Sequence, residues 1–151
     1  QYSKRLGFNT IVISHSKEKE SLALQLGANV FIDSGKQNAA EELKKMGGAK
    51  AILCFAPNAQ AIAALTGGLN RNGKLIIVTA VNEPLSINMG FLFGGATISG
   101  FAQGNIEDTL HFSVLTKVIP MVEEFPLEQA AIAYKKMMDS TVHFRAVLKM
   151  V

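Results

Sequence analysis

Six consecutive residues, Ser14-His15-Ser16-Lys17-Glu18-Lys19, place two hydroxyls, an imidazole and two ammonium groups directly after the apolar run Thr10–Ile13. Hydroxyls, and the backbone N–H groups that open a following helix, can donate to a phosphate, and Lys17 and Lys19 are near enough to add positive charge. The cluster can therefore serve phosphate recognition, but from these residues alone a polar helix start with solvated lysines is the favoured reading. No metal set is recognisable, because His15, His111 and His143 are isolated and Cys54 is the one cysteine. Neither a nucleophile elbow G-x-S-x-G nor a phosphate loop G-x-x-x-x-G-K-[ST] occurs in these residues. Bond-making side chains are not expected here.

The elements that would position the cluster follow from hydrophobic pattern. The runs Thr10–Ile13, Asn29–Ile32, Ala51–Phe55 and Leu75–Val78 have the length of strands buried on both faces, with helical stretches between them. Ser16 is placed to cap a helix carrying Leu22 and Leu26, and Gly27 stands where a left-handed C-terminal cap belongs. Gly47-Gly48 and Gly67-Gly68 are expected to close the next two helices in the same way. Asp33 and Ser34 read as a turn or helix start. Further on, Ala96–Gly100 predicts a strand, Ile106–Val118 and Leu127–Met138 predict helices, and Phe144–Met150 predicts a last strand.

Strands alternating with helices predict an α/β fold with a doubly wound, mostly parallel sheet and right-handed crossovers. In such sheets ligands lie outside the carboxyl ends of the strands. That rule singles out Cys54-Phe55-Ala56, Val78-Thr79-Ala80 and Gly100-Phe101-Ala102-Gln103 beside the opening cluster. Ordinary loop structure is the alternative for these segments, and a small core residue is the better reading of Cys54.

Composition bounds the partners. A chain of 151 residues fits one domain, and with 48% apolar and 18% charged residues it is neither disordered nor fibrous. Its apolar runs are too short and too often broken to span a bilayer, so no membrane partner is expected. A net charge of +3, without an Arg-rich run or interleaved aromatics, argues against nucleic acid. Gln1–Arg5 lacks the apolar core of a signal peptide, and a single cysteine suits a reducing cytosol, so a cytoplasmic protein is expected.

Taken in order, the phrases LGFNTIVIS, LGANVFIDS, GGLNRNGKLIIV, ISGFAQGN, PLEQAAIAYKKM and HFRAVLKM resemble the nucleotide-binding domain of the zinc-dependent, medium-chain alcohol dehydrogenases, nearest to the cinnamyl-alcohol and aldehyde-reducing branch. The resemblance covers essentially the whole chain. It implies the cofactor half of an enzyme that moves hydride between a nicotinamide and a small alcohol or aldehyde, with zinc bound by a catalytic half outside these residues. Tyr2 and Leu6 share a helix face that Gly7 ends, with nothing before them to cap it. The expectation is a partial Rossmann domain over residues 1–151, lacking its first strand and the G-x-G-x-x-G turn.

In this fold an acid at the end of the second strand favours NAD by accepting from the ribose hydroxyls, and this chain has none at Ser14-His15-Ser16. NADP(H) is the expected cofactor. The resemblance assigns Ser14, His15, Ser16 and Lys19 to its 2′-phosphate, and Arg145 of HFRAVL to its pyrophosphate, where a planar guanidinium fork suits two oxygens. It assigns Val78, Thr79, Ala80, Gly100, Phe101, Ala102 and Gln103 to the nicotinamide side, with Cys54 and Phe55 nearby. Phe101 departs from the small residue usual there. From residues alone, Arg145 would be an exposed charge near a chain end. The segment 83–101 is expected to join two copies in a homodimer, against the reading that it packs on its own core or on the catalytic half outside these residues. A non-catalytic binding module and a zinc-independent quinone reductase of the same superfamily remain open alternatives.

Overall fold

The computed structural model describes residues 1–101, 104–139 and 141–150. Ala102 and Gln103, both assigned to the nicotinamide side above, lie outside them. The chain divides into two compact units, Gln1–Gly104 and Asn105–Val151, each described by itself.

In the first unit the elements run α1 (Tyr2–Arg5), β1 (Ile11–Ser14), α2 (Glu20–Gln25), β2 (Val30–Asp33), α3 (Ala39–Lys45), β3 (Ala49–Cys54), α4 (Ala59–Leu65), β4 (Leu69–Ile77) and β5 (Thr97–Gly100). β1 pairs with β2, and β3, β4 and β5 pair in that order, every pairing parallel. Parallel strands need a crossover between them, which the helices supply. The expected parallel α/β architecture is therefore present. Among the described residues β1 and β3 each carry a ladder on one side only.

The β-branched sequence Ile-Val-Ile of β1 prefers the pleat. Leu75, at the centre of β4, is fully enclosed, as is Ile62 of α4. They join Ile32, Leu43, Ile52 and Cys54 in one core spanning both sheets and α3. Each such aliphatic side chain contributes about 1.5–3 kcal/mol by leaving water.

Helix starts are set by asparagines that sequence reasoning passed over. Asn38 Oδ1 accepts from the N–H groups of Ala40 (3.1 Å) and Glu41 (3.3 Å) to open α3, and Asn58 Oδ1 accepts from Ala61 N–H (2.8 Å) to open α4. Glu41 and Glu42 in the first turn of α3, and Lys44 and Lys45 in its last, complement its dipole. Ser16, expected to cap by side chain, does not. It stands in extended backbone before a 3-10 turn at Lys17–Lys19 that precedes α2, and makes no capping hydrogen bond.

Helix ends divide into two kinds. Gly27 (φ 109°) and Gly47-Gly48 (φ 95° and 80°) are left-handed, as expected of a C-terminal cap. Gly67 and Gly68 are not; they form a 3-10 turn, Thr66–Gly68, with no positive φ. Gly68 serves close packing instead: a Cβ there would lie 2.6 Å from Leu43 Cδ1 and 3.2 Å from Ala40 Cα of α3, so added volume would have to displace the buried Leu43 side chain. β4 starts earlier than Leu75 because Leu69 already pairs with Ala49; the strand then bulges through Asn72 at φ 57° before regaining register at Lys74.

The second unit holds α5 (Ile106–Thr116), β6 (Glu123–Pro126), α6 (Ala130–Met138) and β7 (Ala146–Lys149), with β6 and β7 parallel. The expected helices are present, capped at Asn105 and preceded at Leu127–Gln129 by a 3-10 turn. The strand β6 was not expected, since its residues Glu-Glu-Phe-Pro bury only Phe125. The last strand is shorter than Phe144–Met150, because Phe144 adopts φ 70° and cannot belong to a ladder.

Gly47 and Gly48 allow a direct comparison. A Cβ at Gly47 would meet open space, whereas one at Gly48 would lie 2.9 Å from the backbone of Asn70. Gly47→Ala should cost about 1–2 kcal/mol, the scale of left-handed strain alone. Gly48→Ala should cost more, by about 1–3 kcal/mol of overpacking. Urea denaturation of the two variants checks the order.

Candidate functional site

The carboxyl ends of the strands bring the expected residues to two places in the first unit. At the end of the β3–β4–β5 sheet, Val78 N–H donates to Cys54 O (2.9 Å) and Phe101 N–H donates to Ile77 O (3.0 Å). These bonds extend the ladder by one step and leave Phe55, Val78-Thr79-Ala80 and Gly100-Phe101 along one sheet end. Phe55 and Phe101 are 65% and 61% exposed, Thr79 is half-buried, and a Cβ at Gly100 would meet nothing within 4 Å. The edge thus offers two aromatic surfaces and open main chain. Cys54 is different: its side chain is only 2% exposed and belongs to the core, so the packing reading of this residue describes it.

At the end of β1, Ser14 O accepts from Ser34 N–H (2.8 Å), and Ser14 stands in register opposite Asp33. Ser14 and Ser16 are half-buried, while His15, Lys17 and Lys19 are exposed. Lys17 Nζ pairs with Glu20 at 3.5 Å, so part of its charge is engaged within its own helix start. Lys19 forms no ion pair among the described residues.

The residue that sequence reasoning underweighted is Asp33. It is the acid nearest the cluster in the strand pairing, yet its side chain is turned to structure. It is 8% exposed, and its Oδ1 accepts from Gly35 N–H (3.0 Å) to close a turn after β2. Gly35 is needed there because a Cβ would lie 2.6 Å from His15 O. The signal was present in the string Asp33-Ser34-Gly35, an acid two residues before a glycine, which is the pattern of an Asx turn.

An open pocket of about 410 Å³ lies at the amino-terminal end of β4 and β5. Leu69, Asn70 and Arg71 at the start of β4, Ala96 before β5, and Lys44 line it. Its position follows from the β4 bulge and owes nothing to the strand carboxyl ends.

Arg145 belongs to the second unit. It is exposed and immediately precedes β7. Its O accepts from Glu123 N–H (2.9 Å), and Glu123 in turn accepts from His143 N–H (2.7 Å) and Lys136 Nζ (3.3 Å). His143 donation, followed by the Lys136 ammonium, holds the Glu123 carboxyl below the usual carboxylate range.

Two general features are relevant to what such a site can hold. No group of three or more His, Cys, Asp or Glu among the described residues could bind a metal ion. No helix among them is long and apolar enough to cross a membrane.

The sequence and the fold both have counterparts among known proteins. The family model for zinc-binding dehydrogenases matches residues 1–123, and the chain belongs to that family. It is similar to the alcohol dehydrogenase notN of Aspergillus sp. (strain MF297-2), with 35% identity over 99% of this chain and 45% of that protein. It is also similar to the alcohol dehydrogenase patD of Penicillium expansum, 34% identical over 99% of this chain and 45% of the relative. Among solved structures, benzyl alcohol dehydrogenase from Acinetobacter calcoaceticus matches at TM-score 0.81 and 19% identity, over 93% of this chain and 42% of that one. A cinnamyl alcohol dehydrogenase from Sorghum bicolor matches at TM-score 0.79 and 24% identity, over 97% and 42%. These two likenesses establish the fold. The chain spans a little under half the length of the curated relatives it matches.

The Glu123 carboxyl supplies a pH prediction. Its folded value is depressed, so its contribution to stability is full above the unfolded value of about 4.3 and is lost as pH falls through the lower folded value. Thermal melts between about pH 6 and pH 2 should show this acid-side loss in the parent protein. Glu123→Gln should remove that component of the pH dependence.

Proposed function

We propose that this chain is the cofactor-holding part of an NADP(H)-dependent oxidoreductase that interconverts small alcohols and aldehydes. The observation that carries the cofactor choice is the crest at the end of β1. Ser14-His15-Ser16 occupies it without an acid, and the neighbouring Asp33 is sealed into its own turn by Gly35. A ribose 2′-phosphate there would meet hydroxyl donors and the Lys19 ammonium.

The nicotinamide supplies or accepts hydride when it is bound. In this reading Val78-Thr79-Ala80 and Gly100-Phe101 offer main-chain partners at the sheet end, and Phe55 and Phe101 are apolar walls against water. Ala102, Gln103 and Cys54 complete the family pattern, the last from within the core. Arg145 meets the pyrophosphate. The unpaired sides of β1 and β3 take the first strand of the domain, which is the slot the strand order 3-2-1-4-5-6 leaves between them. The described residues do not fit a zinc ion, so the zinc of this family is held by other parts of the complete polypeptide. The setting is cytoplasmic.

We further infer a homodimer through the segment 83–101. β5 is the edge strand of its sheet, and Phe93 in the 3-10 turn Met89–Gly94 is 91% exposed. An open edge next to an exposed aromatic invites a second copy.

Two measurements test these readings in the full-length enzyme. Calorimetric titration should show preference for NADPH over NADH, and Ser14→Asp should lower that preference by roughly tenfold or more, the scale of a lost charge-assisted hydrogen bond. Equal binding of the two nucleotides by the parent would sink the cofactor assignment. Sedimentation velocity should show a dimer that Phe93→Glu converts to monomer; an unchanged dimer would move the interface elsewhere.

A further inference from the structure

Arg145 sits at the end of a turn whose geometry has an identifiable support. Phe144 adopts φ 70°, a conformation that is unfavourable for a bulky residue and persists only where its surroundings impose it. The Phe144 side chain is 58% exposed, so packing is a weak candidate for that support. Hydrogen bonds flank it on both sides, and both come from one residue. Glu123 Oε1 accepts from His143 N–H at 2.7 Å, on the near side, and Glu123 N–H donates to Arg145 O at 2.9 Å, on the far side. A third bond, Arg145 N–H to His143 O at 3.1 Å, closes the turn across Phe144.

The Glu123 carboxylate is itself held. Its second oxygen accepts from Lys136 Nζ at 3.3 Å, and the Lys136 ammonium also lies 5.3 Å from the centre of the buried Phe125 ring. The register Glu123↔Ala146 then starts β7 directly after Arg145. One carboxylate on β6 thereby fixes the backbone from which the guanidinium departs.

We propose that Glu123 is a positioning residue for Arg145, acting through its hydrogen bond to the His143 amide. This rests on the reading of Arg145 as a pyrophosphate ligand. Reach to the amide, and not charge, is the property that matters: a glutamine keeps the acceptor oxygen at that distance, whereas an aspartate keeps the charge but is one methylene short.

The test uses the full-length enzyme with Glu123→Asp, Glu123→Gln, Arg145→Ala and the Glu123→Asp/Arg145→Ala pair. NADPH affinity is measured by fluorescence titration, with far-UV circular dichroism and thermal melts showing that each variant is folded. Arg145→Ala should weaken NADPH binding by about tenfold or more, the loss of a charge-assisted pair. Glu123→Asp should weaken it several-fold, Glu123→Gln should recover most of that loss, and the double variant should bind no more weakly than Arg145→Ala alone. Additive losses in the double variant, an Asp variant that binds like the parent, or a Gln variant weaker than the Asp one would overturn the positioning role while leaving the Arg145 reading intact. An Arg145→Ala variant with unchanged affinity would overturn the Arg145 reading and this inference with it.

Discussion

The level at which three parallel strands end governs the candidate site. Cys54, Ile77 and Gly100 close β3, β4 and β5 in matched register, so the chain leaves all three strands on one line. Because side chains alternate along a strand, a slip of one residue would carry Leu75 out of the core and turn the residues that follow to the wrong face. The complete burial of Leu75, with Ile52 beside it in the pairing, is what opposes that slip. The main-chain bonds from Val78 to Cys54 and from Phe101 to Ile77 extend the ladder one step further into the loops. What the loops present is therefore an extension of core packing.

The helices are held to this sheet by backbone approach as much as by apolar surface. Leu43 of α3 lies over Gly68, where any side chain would collide with it, and the Gly48 backbone lies against Asn70. Dispersion contacts of this kind fall off within a fraction of an ångström, so such positions tolerate little added volume. The same principle operates at the crest, where Gly35 lets the turn after β2 press against the His15 backbone while its N–H engages the Asp33 carboxylate.

The second unit solves a related problem with a different device. Phe144 is held in a left-handed conformation by hydrogen bonds rather than by packing, with Glu123 supplying a partner on each side. Its carboxylate stays ionised to lower pH because the His143 amide and the Lys136 ammonium both favour the charged form. A backbone that no local preference would choose is kept by a non-local acceptor on another strand.

Much of the architecture was legible in the amino-acid sequence, for local reasons. Runs such as Ile11-Val12-Ile13 mark strands by stiffness at χ1 and by burial on both faces, and Gly27, Gly47 and Gly48 mark helix ends by the φ values they alone adopt cheaply. The absence of an acid at Ser14-His15-Ser16 and the family phrases were readable as well. Tertiary structure decided what depends on a partner distant in the chain. Gly68 looked like a cap and serves close packing, and Ser16 looked like a cap and makes no such bond; Asp33 reads as a turn or helix start and does close a turn, but its burial beside the cluster depends on the packed structure. The strand at Glu123–Pro126 has no strong pattern of its own and exists because β7 pairs with it. Backbone stiffness and φ preference are properties of a residue and its immediate neighbours, whereas close approach and ladder pairing require the other chain segment to be in place.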